Sequence, residues 1–343
     1  MLLVVVAVAC RTGAPCNATR GRTGMKAEHG LVRGEETLAA MQLLGLRVAG
    51  DVHASDVFLL GYPNLGLAAI AKASSPFTDD PSGLHHTYAA RGDGDRVRCD
   101  GDLRHRLDGS HSPLTATALA ADFDALLAVA RPSDVYTHAV FDGHPDHAEV
   151  SRQVDAALAR SGLSGTLHAT LIHPEGTASC MGPSADAWPN PPLTAAGPFA
   201  RLAPALDVTP PPVPPCDPRP EGTRWGPAGA PDEWVEVPAA MQVEDPERNA
   251  KWQVVSRYAS QIDCRKRADG AYHPSCGYMR AFVKRHEFFW TKPFGHGGVA
   301  TPGSVLVVAA HPDDEALGAA GVIARARAAG RPVYVAVVTN GDF

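Results

Sequence analysis

The chain has 343 residues, of which 45% are hydrophobic, so it can bury a substantial core and is not a disordered protein. Its 31 basic and 37 acidic residues give a net charge of -6. No basic cluster is dense enough to follow a phosphate backbone, which argues against nucleic acid as a partner.

The first ten residues form an apolar run that is too short to span a bilayer, so no transmembrane segment is expected. Two interpretations stay open: the hydrophobic part of an export signal, although the usual positive residues before it are missing, or an ordinary N-terminal strand. Cys180 with Cys216, and Cys264 with Cys276, are candidate disulfides of an exported protein. The sequence slightly favours an exported or cell-envelope protein over a cytoplasmic one. The seven cysteines contain no CxxC pair, which argues against a structural zinc cluster.

Alternating helical and strand patterns fill the first half of the chain. Periodicity predicts helices over residues 34–46, 116–130 and 148–160, and strands over 57–60, 134–141 and 166–172. The stretch between residues 74 and 111 is irregular, and a loop of that length is expected to cover a site.

The second half is less regular until its end. Residues 174–238 are rich in proline and are predicted to be an insertion or flap. A helix is predicted over 249–261, an aromatic strand over 282–290, and a glycine-rich linker over 291–303.

Residues 305–340 predict a βαβ unit. The apolar run at 305–310 shows no alternation, which is typical of a strand buried on both faces of a parallel sheet. A helix follows over 315–329, closed by Gly330 and Pro332, and a second buried strand is predicted over 333–338. The residues between the first strand and the helix therefore lie at the carboxyl end of the sheet, where α/β proteins place their chemistry.

Two polar clusters occupy such strand ends. The first is His311-Pro312-Asp313-Asp314-Glu315, in which the turn lets the first and fourth residues converge on one ion. Asp313 would then stand beside the metal, free to take a proton from a water molecule.

The second cluster runs from Asp142 to His147. If His147 binds the same metal, His144 is near enough to donate to a developing oxyanion or a leaving amine. Such a histidine should be protonated, and the adjacent Asp146 would favour that state.

Simpler interpretations exist for each cluster alone. An HxxH pair occurs often by chance, and acids after a strand can simply cap a helix. The joint occurrence of both clusters at strand ends favours a metal site. The remaining histidines of loop-like stretches are expected to be exposed to solvent: His85, His86, His105, His111 and His296.

Several segments together resemble a known family. Ala310 to Glu315 and Thr339 to Asp342 are similar to the start of a PIG-L/LmbE-type deacetylase domain, a family of zinc-dependent N-deacetylases that act on N-acetylglucosaminyl compounds. The resemblance covers most of residues 16–343. Its later segments are matched by Arg33-Gly34-Glu35-Glu36, Leu44-Gly45, Gly61-Tyr62-Pro63, His144-Pro145-Asp146-His147 and Ser260-Gln261.

The resemblance implies a role for each site residue. His311, Asp314 and His147 would hold Zn²⁺, or another divalent metal, and Asp313 would be the general base. His144 would be the acid or oxyanion stabiliser, oriented by Asp146. The substrate-binding positions would be Arg33, Asn64, where many members have an acid, and Asp142, where some have a tyrosine.

The order of the segments departs from the family, because its initial unit comes last here. We therefore predict a circular permutant: one domain over 16–343, with residues 1–15 a leader or extra strand and 291–303 joining the family's usual ends. The alternative is a broken or tandem gene whose last unit serves another domain. A permutant requires the strands at 305–308 and 57–60 in one sheet, and His311 and His147 within bonding distance of one ion.

The sequence thus predicts an α/β fold with a Rossmann-like, mostly parallel sheet and helices on both faces. The expected function is zinc-dependent removal of the N-acetyl group from an N-acetylglucosamine-type sugar or glycoconjugate. Alternatives are an amidase that cleaves a larger acyl group, a non-catalytic metal-bearing carbohydrate-binding domain, or an inactive fragment. The partner is a small-molecule or glycan N-acetylated substrate, and the oligomeric state is left open.

Overall fold

The computed structural model describes residues 22–78, 85–89, 91–93, 96–98, 100–173, 231–262, 279, 282–295 and 303–341. Within these ranges, only the backbone is described at 22–28, 91–93 and 96–98. The seven cysteines, His296, residues 1–15 and most of the proline-rich segment lie outside the described residues, and so do the predictions made for them.

The described residues form α-helices and β-strands that alternate along the chain. The helices are α1 (Arg22–Leu43), α2 (Leu67–Ile70), α3 (Leu103–Asp108), α4 (Ala116–Ala130), α5 (Pro145–Ser161), α6 (Ala250–Val255) and α7 (Asp314–Ala328). The strands are β1 (Val57–Tyr62), β2 (Arg91–Asp93), β3 (Arg96–Arg98), β4 (Pro132–His138), β5 (Gly165–Thr170), β6 (Glu233–Glu236), β7 (His286–Phe294), β8 (Ser304–Ala309) and β9 (Val333–Thr339). Short 3-10 helices occupy Val52–Ala54 and Ala239–Met241.

One seven-stranded sheet organises the molecule, in the order β1-β9-β8-β4-β5-β7-β6. The five strands from β1 to β5 in this order run parallel, and β7 and β6 complete the sheet in antiparallel pairs. Strands β2 and β3 form a separate antiparallel pair. The predicted mostly parallel sheet is confirmed.

Helices cover both faces of this sheet, because its central strands alternate apolar side chains between two cores. Val305 and Val307 of β8 pack in a core with α1, α6 and α7, whereas Leu306 and Val308 pack in a core with α4 and α5. All six residues of β8 are buried, as its unbroken apolar run predicts. The fold is therefore the predicted Rossmann-like α/β fold.

The C-terminal βαβ unit is built into the same sheet as the N-terminal half. Strand β9 lies between β8 and β1, with Val57 of β1 opposite Val335 and Val305 of β8 opposite Val333. The strand condition set for a permuted domain is therefore met. Among the described helices, none combines the length and the apolar composition needed to cross a membrane.

Helix α1 begins earlier than its pattern predicts, at Arg22 instead of Gly34. Glycines disfavour helix interiors, and Gly24 and Gly30 lie in the part of the helix that the pattern did not predict. Tertiary packing overrides this preference: a Cβ at Gly30 would lie 3.4 Å from Cβ of Asn340 and 3.7 Å from the Tyr88 hydroxyl. The small residue lets the helix approach the end of β9 closely.

Four other predicted segments differ from the structure. The irregular stretch 74–111 contains β2, β3 and α3, and the proline-rich segment 174–238 ends in the edge strand β6. The predicted helix 249–261 is helical only over α6, which Asn249 caps by accepting from the Trp252 N–H at 2.9 Å. Strand β7 continues to Phe294, into the predicted linker, because it pairs with β5 up to Gly165.

Candidate metal centre

The centre of the sheet contains a topological switch. From β8 the chain crosses through α7 to β9 on one side, and from the neighbouring β4 it crosses through α5 to β5 on the other side. Crossovers that diverge from adjacent parallel strands leave a crevice at their carboxyl ends, where α/β proteins bind ligands. Both predicted clusters lie there, His311 to Glu315 after β8 and Asp142 to His147 after β4.

Three acceptor atoms converge in this crevice. Nε2 of His147 lies 3.0 Å from Nδ1 of His311 and 3.1 Å from Oδ2 of Asp314, and the last two atoms are 3.2 Å apart. Three donors of a tetrahedral ion with bonds of about 2.0–2.1 Å are separated by about 3.3 Å. His311 and His147 are 164 positions apart in the chain, yet their ring nitrogens lie within bonding distance of one ion, as the permuted arrangement requires.

The far ring nitrogens of both histidines face buried carboxylates. Nδ1 of His147 lies 3.1 Å from Oδ1 of Asp142, at an angle that falls short of a hydrogen bond, and Nε2 of His311 lies 3.3 Å from Oδ2 of Asp146. A carboxylate behind a ligand histidine holds the ring proton on the nitrogen that faces it, so the neutral rings of a metal-bound site would present their opposite nitrogens as lone pairs. Those two nitrogens and Oδ2 of Asp314 are the three atoms that would hold a cation.

The electrostatics of the crevice also favour positive charge. Burial lowers the pKa of His147, but the carboxylates of Asp314 and Asp142 outweigh it and raise this pKa to about 10. The pKa of His311 is raised as well, against burial, by its hydrogen bonds to Asp146 and Asp314. Burial by itself would raise the pKa of Asp314. The charge of His147 outweighs burial and holds this pKa well below its usual range. The donor set therefore suits a divalent ion, whose charge would replace these protons.

Asp146 and Asp142 are enclosed by protein. The Asp146 carboxylate accepts the N–H groups of Leu65 at 2.6 Å and Leu67 at 3.3 Å, so the loop after β1 wraps around it. Asp142 accepts three backbone N–H groups, those of His144, Ile172 and His173. Both carboxylates lie behind the histidine ligand candidates and away from the open side of the crevice: their side chains are 0% exposed.

His144 lies beside the three converging atoms, with its ring centroid 4.5 Å from that of His311 and 4.8 Å from that of His147. Its Nδ1 accepts the Asp146 N–H at 3.2 Å, so the neutral ring carries its proton on Nε2. Burial and the charges of His311 and His147 lower its pKa to about 4, and Asp146 raises it by less. The adjacent acid therefore does not produce the protonated state expected from the sequence.

Asp313 is the N-cap residue of helix α7 and has an unusual backbone conformation, with φ 126° and ψ -35°. It is buried, and burial together with Asp314 and Glu315 raises the pKa of its carboxyl well above the usual range, whereas Arg33 lowers it. The surroundings thus favour a carboxyl that takes up a proton.

Arg33 and Asn64, expected to contact substrate, lie near the ends of the neighbouring strands β9 and β1. Arg33 of α1 packs over the end of β9: a Cβ at Gly341 would lie 2.7 Å from its Nη1 and 3.0 Å from Cδ of Pro312. Asn64 is partly buried in the loop after β1, and its Oδ1 accepts the Leu65 N–H at 3.0 Å. Arg33 thus adjoins the turn that carries Asp313, and Asn64 the loop that holds Asp146.

Two further histidines belong to the site and were missed in the sequence. His138, at the end of β4, stacks on His147 with ring centroids 3.8 Å apart, and its Nε2 accepts the Ala310 N–H at 2.8 Å. Burial and the His147 charge lower the pKa of His138 to about 3. His173, three residues after β5, lies 5.0 Å from His147 between centroids. Their places at the ends of parallel strands were the signal that could have identified them.

A second group of histidines lies outside this crevice. His86, His105 and His111 stack around Asp102, with ring centroids 5.1 Å apart for His86 and His111 and 4.8 Å apart for His105 and His111. Nδ1 of His111 lies 2.7 Å from Oδ2 of the fully buried Asp102. We call these four residues the edge cluster, because Asp102 bridges to Leu59 of the edge strand β1. The expectation of solvent exposure holds for His85 but is wrong for the edge-cluster histidines, which are partly buried.

A comparison with protein families gave one match. The model of the PIG-L family, described as GlcNAc-PI de-N-acetylase, matches residues 4–158 and 306–343, which is more than half of the chain. Curated proteins and solved structures, searched in the same way, gave no match. The two matched segments carry the two clusters described above, one after β4 and the other after β8, and the split agrees with a permuted order. This chain belongs to the PIG-L family of de-N-acetylases.

Proposed function

We propose that this protein is a zinc-dependent deacetylase that hydrolyses the N-acetyl group of an N-acetylglucosamine-type sugar or glycoconjugate, giving acetate and a free amine. The observation that carries the proposal is the convergence of His147, His311 and Asp314 within 3.2 Å of one another beside a buried Asp313. Membership of the family supports the GlcNAc-type deacetylase chemistry.

Two imidazole nitrogens and one carboxylate oxygen suit zinc, which catalytic sites hold by three protein ligands with a fourth position open. Other divalent metals that accept the same donors are the alternative. When bound, the ion supplies polarisation of the acetamide carbonyl and lowers the pKa of a water molecule beside it.

Asp313 is the general base of the proposed reaction. Its carboxylate takes a proton from the attacking water, and its burial beside Asp314 and Glu315 makes uptake of that proton favourable. The water oxygen bonds to the carbonyl carbon, and as the C–N bond breaks the proton held by Asp313 moves to the nitrogen, which leaves as a free amine. The acetic acid formed releases its remaining proton to solvent and leaves as acetate.

His144 acts as a neutral donor in this proposal. Because its Nδ1 accepts the Asp146 N–H, its Nε2–H is available to the developing oxyanion or the leaving nitrogen. Asp146 and Asp142 orient the rings of His311 and His147, whereas the sequence predicted that Asp146 orients His144 and that Asp142 binds substrate.

Arg33 and Asn64 are proposed to bind polar groups of the sugar. Arg33 adjoins Pro312 and Gly341, beside the turn that carries Asp313. Asn64 lies in the loop after β1, whose next residue donates to Asp146.

We also propose that residues 16–343 are one permuted domain. A chain rearranged to run from residue 303 to 343 and then from 16 to 295 is expected to fold, to bind one metal ion and to hydrolyse the same substrate. A rearranged chain that fails to fold, beside a folded and active natural order, would contradict the proposal.

The direct test combines metal content with acetate release from a panel of N-acetylglucosamine compounds. Asp313→Ala is expected to keep one metal ion per chain and to lose about 10²–10⁴-fold in kcat, as removal of a general base does. Asp56→Asn is the matched control, because Asp56 is also buried but pairs with Arg47 away from the crevice.

Each rival has its own outcome in this assay. Full turnover in Asp313→Ala would contradict the base assignment. Faster release of bulky acyl groups than of acetyl would establish the amidase alternative. Metal and sugar binding without any turnover would establish the non-catalytic carbohydrate-binding alternative.

A further inference from the structure

The peptide bond between Pro312 and Asp313 is held at both ends by side chains. Its N–H, on Asp313, donates to Oε2 of Glu315 at 3.1 Å. Its carbonyl oxygen, on Pro312, accepts from Nε2 of Gln261 at 2.5 Å. Hydrogen bonds at both ends of one peptide group fix its plane, and that plane sets φ of Asp313.

The fixed conformation is one that L-residues rarely adopt. Asp313 has φ 126°, a region in which its Cβ is crowded by the backbone, and such conformations persist only where the surroundings impose them. The direction of the Asp313 side chain follows from this backbone angle. Holding the peptide therefore holds the carboxylate in place.

The carboxylate of Glu315 is in turn held in place by Tyr258. Its Oε1 accepts the hydroxyl of Tyr258, and both residues are almost completely buried, at 1% and 0% exposure. The carboxylate of Glu315 thus links the Tyr258 hydroxyl to the Asp313 main chain.

The segment that carries Tyr258 and Gln261 is anchored to helix α1. Between them, Ser260 donates its N–H and its hydroxyl to the carboxylate of Glu36, at 2.7 and 2.6 Å. Helix α1 and the turn after β8 are therefore connected through residues 258–261.

From this geometry, and resting on the proposed function, we propose that Tyr258, Glu315 and Gln261 are positioning residues of the hydrolase. They clamp the Pro312–Asp313 peptide and so aim the Asp313 carboxylate at the attacking water. None of the three contacts the reacting atoms. A loss of the clamp should slow the chemical step while the ligand set stays intact, since a small misplacement of a catalytic group costs rate.

The test uses Tyr258→Phe, Glu315→Gln and Gln261→Ala in the full chain. Each is expected to keep one metal ion per chain and an unchanged KM, and to lose about tenfold to a hundredfold in kcat. A crystal structure of Glu315→Gln is expected to show φ of Asp313 moved out of the region near 126°, a readout independent of turnover.

Tyr62→Phe is the matched control. Tyr62 is also fully buried and donates its hydroxyl to a carboxylate, Oδ2 of Asp122, at 2.7 Å, but makes no contact with Asp313 among the described residues. It is expected to lower thermal stability as Tyr258→Phe does and to leave kcat unchanged.

The outcomes separate this inference from the proposed function. An inactive wild-type protein with metal bound would overturn the proposed function alone, and the backbone angle of Asp313 in Glu315→Gln would still test the clamp. Wild-type kcat in the metal-loaded clamp variants, or an equal loss in Tyr62→Phe, would overturn the clamp alone.

Discussion

The described part of the chain contains two groups of histidines around buried aspartates, and one of the two has the geometry of a metal centre. In the crevice, His147, His311 and Asp314 place three acceptor atoms within 3.2 Å of one another. In the edge cluster, a single ring nitrogen of His111 meets Asp102, and the other rings stack face to face instead of pointing at a common atom.

The difference lies in the direction of the lone pairs, since both groups offer the same residue types. Buried carboxylates lie behind His147 and His311, so that in a metal-bound site the ring protons would stay on the far nitrogens and the near nitrogens would be the ligand atoms. In the edge cluster the carboxylate of Asp102 lies among the rings, at Nδ1 of His111. Nε2 of His111 is buried and has no hydrogen-bond partner in the described part of the chain. We interpret the edge cluster as a structural support of the edge strand β1.

The largest contrast is expected from removing one histidine of each group. His147→Ala takes away one of three ligand candidates and should abolish metal binding, lowering turnover by several orders of magnitude. His111→Ala should keep one metal ion per chain and wild-type kcat. Metal analysis and acetate release measure both variants, and metal loss in His111→Ala would show that the two groups are not distinct.

A smaller effect is expected from changing the carboxylates that face the histidine ligand candidates from behind. Asp142→Asn and Asp146→Asn keep the shape of the side chains but remove the charges that orient the two rings. Each variant should weaken metal affinity by about 10–100-fold, as measured by competition with a chelator. Asp102→Asn, the equivalent change in the edge cluster, should leave affinity unchanged. Unaltered affinity in both crevice variants would contradict the orienting role.

Metal removal should distinguish the two histidine groups by its effect on the thermal stability of variants in each group. A metal ion whose free concentration is 100 times its dissociation constant stabilises the folded state by about 2.7 kcal/mol. A chelator is therefore expected to lower the melting temperature of the wild type and of His111→Ala, but not that of His147→Ala. An equal shift in all three proteins would place the ion outside the crevice.

The smallest expected effect belongs to the edge cluster itself. His111→Ala removes the 2.7 Å contact to Asp102, which keeps the Thr87 hydroxyl and the His105 N–H as donors at 3.2 Å. The free energy of unfolding should fall by about 1–3 kcal/mol in urea titrations of the metal-free protein. A stability equal to that of the wild type would contradict the structural role.

The sequence predicted the core of the fold because the relevant signals are local. The apolar run that became β8 and the helix-forming stretch that became α7 were identified within one residue at their start. Boundaries failed where packing outweighed local preference, as at Gly30 in α1, and where a short strand such as β6 exists only by pairing with β7.

The residues of the candidate site also fall into two sets, those that the local sequence reveals and those that only packing brings together. His311, Asp313 and Asp314 stand out because they interrupt an apolar run, and His144 and His147 because they repeat that arrangement. By contrast, nothing near Tyr258 in the sequence links it to Glu315, 57 positions away, and Asp142 gave no sign that it would lie behind a histidine. Such contacts depend on how remote segments pack.

The sequence by itself determined the kind of protein: a parallel α/β sheet with histidines and acids at the ends of two buried strands, because periodicity and strand-end composition are written in neighbouring residues. Only the tertiary structure decided that β8 and β4 are adjacent, which carboxylates face the histidine rings, and what holds the Pro312–Asp313 peptide. These features arise where segments far apart in the chain meet, and burial there fixes directions that composition alone leaves free.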